Sequence, residues 1–597
     1  MTEIYTALQK YFGYSTFRPL QEDIVKRVLA QKDTFVLMPT GGGKSLCYQI
    51  PSIIGSGTTV VISPLISLMK DQVDVLTQNG VQAAYLNSSL SQDDQQHVIE
   101  RLTTNALSLI YVAPERLLQN NFLQILKTVP INFFAIDEAH CISQWGHDFR
   151  PEYRKLHMIR THFPDKPVIA LTATATPRVK DDIIERLKLK EAQTFQASFN
   201  RPNLSYTIIP KADPYDQVME YIGKHPGESG IIYCQSRSTV DTVATHLQQM
   251  GIKALPYHAG LSDETRSQNQ EQFIREDIDI IVATIAFGMG IDKPNVRFII
   301  HYNLPKSLEH YYQETGRAGR DGLASECILL FNYADKFLYE RFIRDMENEE
   351  EKLVALQQLG KMADFAQSTV CRRLQLLQYF GEESDITNCA SCDNCTVVRE
   401  RFDATIEAQK ILSCIYHVRG KFGIAHIINI LTGSKAQKIL DYNHHKLSTY
   451  GIIRDHTKND VKKFIFELVY AGYLQQSNDM YGLLGLTEKS LPVLKNKEKI
   501  YLVKPVAAPI SKTRALRDSQ ITNPGLFQAL RALRKDLADR ANVPPFVIFS
   551  DASLKEMAAQ IPRNKAEFRG IKGVGDTKLE EYGPTFLNEI KKYLDHH

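Results

Sequence analysis

A short apolar run followed by a glycine-rich loop constrains the fold of this chain more than any other feature. Residues 35–38, Phe-Val-Leu-Met, have the composition of a buried parallel strand. Pro-Thr-Gly-Gly-Gly-Lys-Ser follows at 39–45, and residues 46–50 can open a helix. In such a unit the glycines let backbone N–H groups close on phosphate oxygens, while Lys44 reaches the β- and γ-phosphates and Ser45 ligates Mg²⁺. The predicted nucleotide-binding residues of this loop are Thr40, Gly41, Gly42, Gly43, Lys44 and Ser45.

The loop departs from the usual phosphate-loop pattern at one position, because Met38 stands where the first glycine is expected. A glycine-rich turn with a chance lysine is the alternative interpretation. It is disfavoured by Asp-Glu-Ala-His at 137–140, which follows an apolar run at 131–136. There Asp137 is predicted to hold the Mg²⁺ hydration shell, and Glu138 to take a proton from the attacking water. The two motifs together predict an ATPase.

Strand-like apolar runs alternate with helical segments through residues 1–205, and again from 206 to about 340. This order predicts two lobes, each with a parallel sheet covered by helices on both faces. Ligands of such sheets bind at the carboxyl ends of the strands, where the glycine loop and Asp137 are predicted to lie. The second lobe has no Gly-Lys-Ser loop and is therefore not expected to be an ATPase by itself.

The composition of the chain excludes several classes of protein. It is 43% hydrophobic and 23% charged, as in an ordinary globular protein with sizeable cores. The formal net charge is +3, so nucleic-acid binding must come from local patches. No apolar run is long enough to span a membrane, and the amino terminus lacks signal-peptide features. We therefore expect a cytosolic protein whose nine cysteines are reduced thiols or metal ligands.

Residues 12–21 precede the glycine loop and contain a glutamine suited to adenine. The Gln21 amide can donate and accept at once, as the N6/N7 edge of adenine requires. Tyr14 and Arg18 can stack on the ring. A surface turn containing a proline is the alternative. The segment predicts adenine contacts by these three side chains.

Residues 141–153 contain the only tryptophan of the chain. Aromatic side chains that stack on bases, interleaved with cations that meet phosphates, are typical of single-strand binding sites. A tryptophan packed in a core is the alternative, but the glycine, histidine, aspartate and proline of this segment do not fit a buried run. The predicted DNA-binding residues are Gln144, Trp145, His147, Phe149 and Arg150.

Two arginines of the second lobe are candidates for phosphate contacts. Arg317 and Arg320 follow Gln313, and their spacing places both guanidinium groups on one face of a helical turn. An arginine set against a nucleotide on the first lobe neutralises charge on the departing phosphate. Gly316 and Gly319 lower helix stability and allow close backbone approach; arginines on a solvated helix are the alternative. The predicted catalytic residues are Lys44, Asp137, Glu138, Gln313, Arg317 and Arg320.

These segments together resemble the bacterial RecQ family of superfamily 2 DNA helicases over nearly the whole chain. The absent first glycine is normal in that family. The resemblance implies 3′→5′ polarity, a role in recombination and repair, and an aromatic-rich loop that couples DNA to hydrolysis. Gln-Trp-Gly-His-Asp-Phe-Arg is much more specific than the general ATPase motifs. The segments that carry the resemblance are 17–21, 38–45, 137–140, 144–153, 284–292 and 313–320.

Four cysteines beyond the second lobe have the spacing of a metal site. Cys371, Cys389, Cys392 and Cys395 are separated by 17, 2 and 2 residues, which fits a closed tetrahedral Zn²⁺ site. Disulfides are the alternative, disfavoured in the cytosol. RecQ proteins carry a similar zinc-binding subdomain after the helicase lobes. Cys414 has no partner at such a spacing and is predicted to be a small buried hydrophobe.

Residues 404 to about 500 contain short helical segments and then three segments interpreted as strands, 464–470, 472–476 and 481–484. Ser-Asn-Asp at 477–479 is the turn signal between strands. This order resembles the winged helix of RecQ proteins, which contacts duplex DNA. A dimerisation wing is the alternative.

Residues 503–522 mix Pro, Ala and Ser without periodicity and predict a linker. The helical patterns beyond it resemble the HRDC domain, a small bundle that binds nucleic acid or, in some proteins, another protein. The segment 570–578 can offer backbone N–H groups and lysines to a phosphate. Contact with DNA is the favoured interpretation.

The predicted fold class is multidomain α/β, with two RecA-like parallel-sheet lobes, a helical zinc-binding subdomain, a winged helix and a C-terminal HRDC bundle. The predicted function is ATP-dependent 3′→5′ DNA unwinding, with ATP, Mg²⁺ and Zn²⁺ as cofactors. A superfamily 2 RNA helicase is one alternative, against which the zinc cysteines and the wing argue. A DNA-binding regulator with an inert ATPase is the other, against which the complete set of ATPase residues argues. The predicted domains are 1–205, 206–340, 341–403, 404–502, the linker 503–522, and 523–597.

The expected partners are single-stranded 3′ tails and duplex junctions of DNA, and a single-strand-binding protein is a candidate protein partner. No membrane partner is expected. The chain is expected to act as a monomer in the bacterial cytoplasm, associated with the nucleoid.

Overall fold

The computed structural model contains two parallel-sheet lobes, a helical segment with four cysteines, a small winged unit and a C-terminal helical bundle. This arrangement confirms the predicted multidomain α/β class. No helix in the described part of the chain is long and apolar enough to cross a membrane. The residues that the structure describes are 3–64, 66–88, 90–143, 150–288, 293–397, 401–476, 483–503 and 522–596.

The first lobe is built on a seven-stranded parallel sheet. Its strands are β1 (Thr34–Leu37), β2 (Thr58–Ile62), β3 (Ala83–Leu86), β4 (Leu109–Val112), β5 (Ile131–Ile136), β6 (Val168–Thr172) and β7 (Gln193–Gln196). The strand order is β3-β4-β2-β5-β6-β1-β7. All four residues of β1 are buried, as expected for a strand covered on both faces. The glycine loop therefore leaves the carboxyl end of β1, and Asp137 leaves that of β5.

Helices cover both faces of this sheet. Short π and 3₁₀ segments lie at Leu8–Phe12, Ala139–Ile142 and Lys155–His157. The α-helices are α1 (Glu3–Ala7), α2 (Gln21–Leu29), α3 (Leu46–Ile54), α4 (Ile66–Gln78), α5 (Gln92–Thr103), α6 (Pro114–Leu117), α7 (Asn120–Lys127), α8 (Pro151–Arg154), α9 (Met158–His162) and α10 (Pro177–Arg186).

The second lobe repeats the same architecture with six parallel strands. They are β8 (Leu204–Pro210), β9 (Gly230–Tyr233), β10 (Ala254–Tyr257), β11 (Ile280–Ala283), β12 (Phe298–His301) and β13 (Ser325–Phe331), in the order β10-β11-β9-β12-β13-β8. The helices are α11 (Pro214–Gly223), α12 (Arg237–Gln249), α13 (Asp263–Ile274) and α14 (Leu308–Thr315). The alternation of strands and helices in the sequence is thus confirmed for both lobes.

Two arginines hold the cysteine-bearing segment, one by a pair within the segment and one by contacts with the second lobe. The Arg372 guanidinium donates to both carboxylate oxygens of Asp393 at 3.0 Å. Arg373 donates to the Leu204 carbonyl at 2.8 Å and to the Asn200 side chain at 2.6 Å, so it joins this segment to the start of the second lobe. The helices here are α15 (Tyr333–Arg344), α16 (Glu349–Gln367), α17 (Arg372–Tyr379) and α18 (Asp393–Thr396).

The winged unit has its own core, which includes Cys414 as predicted. It contains α19 (Thr405–His417), α20 (Ile424–Leu431), α21 (Gln437–Asp441), a 3₁₀ turn at His444–Lys446, α22 (Lys458–Tyr470) and α23 (Ser490–Leu494). Two antiparallel pairs accompany them, β14 (Arg401–Asp403) with β17 (Tyr501–Val503), and β15 (Leu474–Gln476) with β16 (Leu484–Leu486).

The strand predicted at 464–470 is wrong, because this segment is the second half of α22. A capping box formed by Thr457 and Asp460 starts the helix. Phe464, Ile465 and Leu468 then lie on one buried helical face, a spacing that a strand pattern does not produce. The predicted turn at 477–479 lies outside the described residues.

The C-terminal bundle consists of six helices, and it lies against both lobes. They are α24 (Pro524–Ala541), α25 (Pro545–Ile548), α26 (Asp551–Gln560), α27 (Lys565–Arg569), α28 (Asp576–Glu581) and α29 (Gly583–His596). Most of the predicted linker, residues 504–521, lies outside the described part of the chain. The domain boundaries given above stay predictions.

Candidate functional site

A cavity of about 410 Å³ lies between the two lobes, at the carboxyl ends of β1 and β5. The glycine loop and the paired acids reach it from the first lobe, and the glutamine and two arginines reach it from the second. One site therefore collects side chains that are more than 300 residues apart in sequence, from Tyr14 to Arg320. The predicted residues that line it are Tyr14, Arg18, Gln21, Thr40, Gly41, Gly43, Lys44, Ser45, Asp137, Glu138, Gln313, Arg317 and Arg320.

The glycine loop needs glycine for two physical reasons. Gly41 and Gly43 have φ angles of +79° and +82°, a region that favours glycine. A Cβ at Gly43 would also lie 2.5 Å from the Gln21 amide nitrogen. The Lys44 ammonium donates to the Met38 carbonyl at 3.1 Å, and Ser45 directly precedes α3. The backbone is thus shaped as a phosphate cradle, with its cation and hydroxyl at the start of a helix.

Gln21 and Arg18 hold this loop in place. The buried Gln21 amide donates to the Gly43 carbonyl at 3.0 Å and accepts from the Arg18 backbone N–H at 2.8 Å. The Arg18 guanidinium donates to the Gly41 carbonyl. Both side chains therefore fix the cradle, and their contacts with adenine stay predictions. Tyr14 lines the same cavity and is 40% exposed.

The two acids are aimed into one cavity by a tight turn. Glu138 has a φ angle of +48°, so the chain reverses directly after β5. Burial and the neighbouring Glu138 charge raise the pKa of Asp137. Burial would also raise the pKa of Glu138, but the His140 ring, 3.2 Å from its carboxylate, and the Lys44 charge lower it. A divalent cation beside Asp137 would offset the cost of a buried carboxylate, so these acids fit Mg²⁺.

The two arginines lie in a turn, which corrects the predicted helical placement. Helix α14 ends at Thr315, one residue before Gly316, and includes Gln313. Arg317 and Arg320 follow the helix end, and Gly319 has a φ angle of +55° that interrupts any helical continuation. Both arginines still line the cavity, because the turn faces the glycine loop.

Arg201 is a residue of this site that sequence reasoning missed. The residue is 9% exposed, and its guanidinium donates to the Thr40 carbonyl in the glycine loop. It also donates to the carbonyls of Ala318 at 3.0 Å and Gly319 at 2.9 Å, in the turn that bears the two arginines. Arg201 therefore joins the phosphate cradle of one lobe to the arginine turn of the other. No local motif signals this, since the carbonyls that it bridges lie more than 100 residues away in sequence.

The predicted DNA-binding loop is only partly described. Gln144, Trp145, His147 and Phe149 lie outside the described residues. Arg150 is described: its guanidinium donates to the Pro64 carbonyl at 3.0 Å, just after β2. This contact ties the carboxyl-terminal end of the predicted loop to the strand edge that carries the nucleotide cavity.

The four predicted cysteines meet in one cluster. The Sγ atoms of Cys371, Cys389, Cys392 and Cys395 all lie within 4.8 Å of one another. A tetrahedral site with Zn–S bonds of about 2.3 Å requires sulfur atoms about 3.8 Å apart. Four thiolates that can converge in this way, with no other ligand needed, fit a closed structural Zn²⁺ site. The spacing-based prediction is thus supported by the geometry.

Comparisons with known proteins agree with this architecture in order and extent. Five family models match consecutive parts of the chain: DEAD/DEAH box helicase at 18–183, helicase conserved C-terminal domain at 213–322, RecQ zinc-binding at 333–396, RQC domain at 398–511 and HRDC domain at 523–590. The ATP-dependent DNA helicase RecQ of Haemophilus influenzae is 44% identical to this chain, over 98% of the chain and 96% of its own length.

The chain belongs to the RecQ family. The RecQ helicase of Bacillus subtilis is 43% identical over 98% of both chains. The RecQ-like DNA helicase BLM of Xenopus laevis is 37% identical over 99% of this chain but only 46% of its own length. Family membership confirms ATP with Mg²⁺ and Zn²⁺ as the predicted cofactors.

Replacing Cys392 with Ser is expected to remove the metal and loosen residues 371–395. The reason is that the free energy of metal binding drives the folding of such a site. The wild-type protein should contain about one Zn²⁺ per chain. Metal analysis and hydrogen exchange of this segment measure both effects. Cys414→Ala is the matched control, since Cys414 is buried in another core and should leave the zinc content unchanged. Freshly purified wild-type protein without zinc would contradict the assignment.

Replacing Arg201 with Lys is expected to lower kcat for ATP by roughly 10–100-fold while KM changes little, because misplaced reacting groups cost rate rather than ground-state binding. A lysine cannot reach carbonyls on both lobes with a planar fork. Arg266→Lys on the surface of the second lobe is the control. A variant that melts at a lower temperature but keeps its kcat would show a merely structural role.

Proposed function

We propose that this RecQ-family protein couples ATP hydrolysis to 3′→5′ unwinding of duplex DNA in recombination and repair. The observation that carries the proposal is the shared cavity. It contains a phosphate cradle and two acids from one lobe and two arginines from the other. A nucleotide clamped in this way makes the relative position of the lobes depend on hydrolysis. The 3′→5′ direction rests on family resemblance.

In this proposal each side chain has a defined role. The glycine-loop N–H groups and Lys44 hold the β- and γ-phosphates, and Ser45 with Asp137 would hold Mg²⁺, which neutralises phosphate charge when bound. Glu138 accepts the proton of the attacking water, for which its lowered pKa keeps it ionised at neutral pH. Arg317 and Arg320 compensate the charge that develops on the departing phosphate, and Gln313 orients it.

DNA is the proposed polymer substrate, held by the aromatic loop at 144–153 and by the winged unit. The segment 144–153 follows the two acids by only a few residues, so a base stacked there can influence the strand end that carries them. Single-stranded 3′ tails and duplex junctions are the proposed substrates. We further propose that the chain acts as a monomer in the cytoplasm near the nucleoid, with a single-strand-binding protein as a partner; these points rest on the family alone.

Unwinding assays distinguish this proposal from its alternatives. The protein should unwind 3′-tailed DNA duplexes with ATP and Mg²⁺, and leave 5′-tailed and blunt duplexes largely intact. Preferential unwinding of RNA duplexes would favour the RNA helicase instead. DNA binding without DNA-stimulated phosphate release would favour an inert regulator.

Lys44→Ala is expected to lower ATP turnover by about 10²–10³-fold, because the cation at the β- and γ-phosphates is lost from the transition state. DNA affinity should stay close to that of the wild type, since the proposed DNA contacts lie elsewhere. Lys26→Ala removes a surface cation paired with Glu22 and serves as control. Normal turnover in the Lys44 variant would reject the proposed phosphate site.

Trp145→Ala tests whether the aromatic loop couples DNA to hydrolysis. It should remove most DNA stimulation of the ATPase and stop unwinding, whereas the basal rate persists. Loss of one stacked base costs roughly 1–3 kcal/mol, but phosphate contacts elsewhere should limit the loss of overall DNA affinity. Basal and stimulated rates are measured together with thermal stability. Full DNA stimulation in the variant rules out the coupling role, and a joint fall of both rates with a lower melting temperature indicates a core tryptophan.

A further inference from the structure

Tyr233 lies at the carboxyl end of β9, an inner strand of the sheet in the second lobe. Its neighbours in register are Ala283 at the end of β11 and His301 at the end of β12. The residue is only 4% exposed. A phenol hydroxyl at this depth needs hydrogen-bond partners, because an unpaired buried polar group is costly. The partners of this hydroxyl therefore show what the side chain does.

The Tyr233 hydroxyl has one partner as a donor and another as an acceptor. It donates to the Phe287 carbonyl at 2.8 Å. Burial raises the pKa of Tyr233, and the charge of Arg317 and a side-chain hydrogen bond with it lower that pKa in part. A guanidinium can only donate, so in this bond the hydroxyl is the acceptor. One hydroxyl therefore joins the arginine turn to the segment that contains Phe287.

Arg317 is the member of the arginine turn that reaches the acids of the first lobe. It is 4% exposed and lines the nucleotide cavity. Burial raises the pKa of Glu138, whereas His140, Lys44 and Arg317 lower it. The Arg317 charge thus acts across the cleft, on the carboxylate proposed to accept the proton of the attacking water. The placement of this guanidinium therefore bears directly on the proposed chemistry.

The Tyr233 ring and the Arg317 backbone are held by the same neighbours. The His301 ring stacks on the Tyr233 ring, with centroids 5.5 Å apart and planes 21° apart. His301 Nε2 lies 2.8 Å from the Glu314 carboxylate. The Glu314 carbonyl in turn accepts from the Arg317 backbone N–H at 3.2 Å. These contacts form a closed circuit, which the bond between the Tyr233 hydroxyl and the Arg317 side chain completes.

The carbonyl that orients the hydroxyl belongs to a well-packed turn. The Phe287 N–H donates to the Thr284 carbonyl at 3.0 Å. The Phe287 ring packs against Tyr257 and Phe273, with centroids 4.7 and 5.8 Å away. A fixed acceptor fixes the direction of the hydroxyl proton, and the lone pair that meets Arg317 is then fixed as well. The phenol is thus preorganised to receive the guanidinium.

We propose that Tyr233 is a positioning residue for Arg317, which it holds at the nucleotide cavity through its hydroxyl. The inference rests on the proposed function, in which Arg317 compensates the charge that develops on the departing phosphate. An arginine side chain is long, and a misplacement of about 1 Å can lower a rate by about 100-fold. Because this charge develops in the transition state, loss of the hydroxyl should affect that state more than bound nucleotide.

The test compares binding of Mg²⁺–ADP with that of Mg²⁺–ADP–aluminium fluoride, a transition-state analogue, by titration calorimetry of the full-length chain with single-stranded DNA present throughout. Tyr233→Phe removes the hydroxyl but keeps the ring that stacks on His301. It should weaken binding of the analogue by roughly 10–100-fold. Affinity for Mg²⁺–ADP should stay close to that of the wild type. In steady-state assays kcat for ATP should fall while KM changes little.

Two further variants show whether the effect passes through Arg317. Arg317→Ala should weaken the analogue by itself, and adding Tyr233→Phe to it should cause no further loss, because the two changes remove one interaction. Tyr257→Phe is the matched control. Tyr257 also ends a strand of this sheet and packs on Phe287, but its hydroxyl donates to Gln270 at 3.3 Å. This variant should bind both ligands as the wild type does.

The outcomes separate this inference from the proposed function. Absence of Mg²⁺–ADP binding by the wild type would overturn the nucleotide site, and unchanged analogue affinity in Arg317→Ala would overturn the proposed role of Arg317. A loss in Arg317→Ala without one in Tyr233→Phe would overturn only the positioning role. A further loss in the double variant would do the same. Equal weakening of both ligands by Tyr233→Phe, with a lower melting temperature, would show that the hydroxyl merely stabilises the lobe.

Discussion

The nucleotide cavity is divided between two lobes. The chemistry of this cavity therefore depends on the contacts that fix the position of one lobe relative to the other. Arg201 makes such contacts beside the glycine loop. Its buried guanidinium donates to the Thr40 carbonyl on one lobe and to the Ala318 and Gly319 carbonyls on the other. A buried charge must keep its hydrogen-bond partners, so separating the lobes leaves this cation partly uncompensated. Closure of the cleft therefore also brings the arginine turn into its place at the cavity.

Buried arginines join the parts of this chain at several other places. Arg373 links the cysteine segment to Leu204 and Asn200 at the start of the second lobe, and Arg534 links the C-terminal bundle to Glu276. A planar guanidinium with five donors can satisfy a carboxylate and backbone carbonyls at once, which a lysine cannot. Each junction is polar but shielded, and it is specific because a displaced partner would leave an unsatisfied buried charge. The domains are thus joined by the specific hydrogen bonds of buried arginines as much as by buried apolar surface.

The sequence was sufficient where the chemistry depends on contiguous residues or short spacings. The strand and loop at 35–45, the acids after β5 and the four cysteines were all predictable, because each pattern is local. Other features were not predictable because they depend on contacts between residues far apart in sequence. The backbone partners of Arg201 lie more than 100 residues away, and the amide of Gln21 is engaged by a loop that forms only in the fold. The prediction of a strand at 464–470 is wrong because a capping box that begins seven residues upstream, at Thr457, starts a helix.

The position of the bundle also changes what its glycine-rich segment can do. Residues 570–578 have the composition of a phosphate-binding loop, which suits DNA as well as a nucleotide. In this structure the Gly573 N–H is engaged by the Gly13 carbonyl, and Gly575 lies against Lys10 with no space between them. A DNA backbone cannot approach these atoms while the bundle is docked. The backbone at Gly573 and Gly575 can therefore contact DNA only in an undocked arrangement, whereas the exposed Lys572 side chain stays accessible in the docked one.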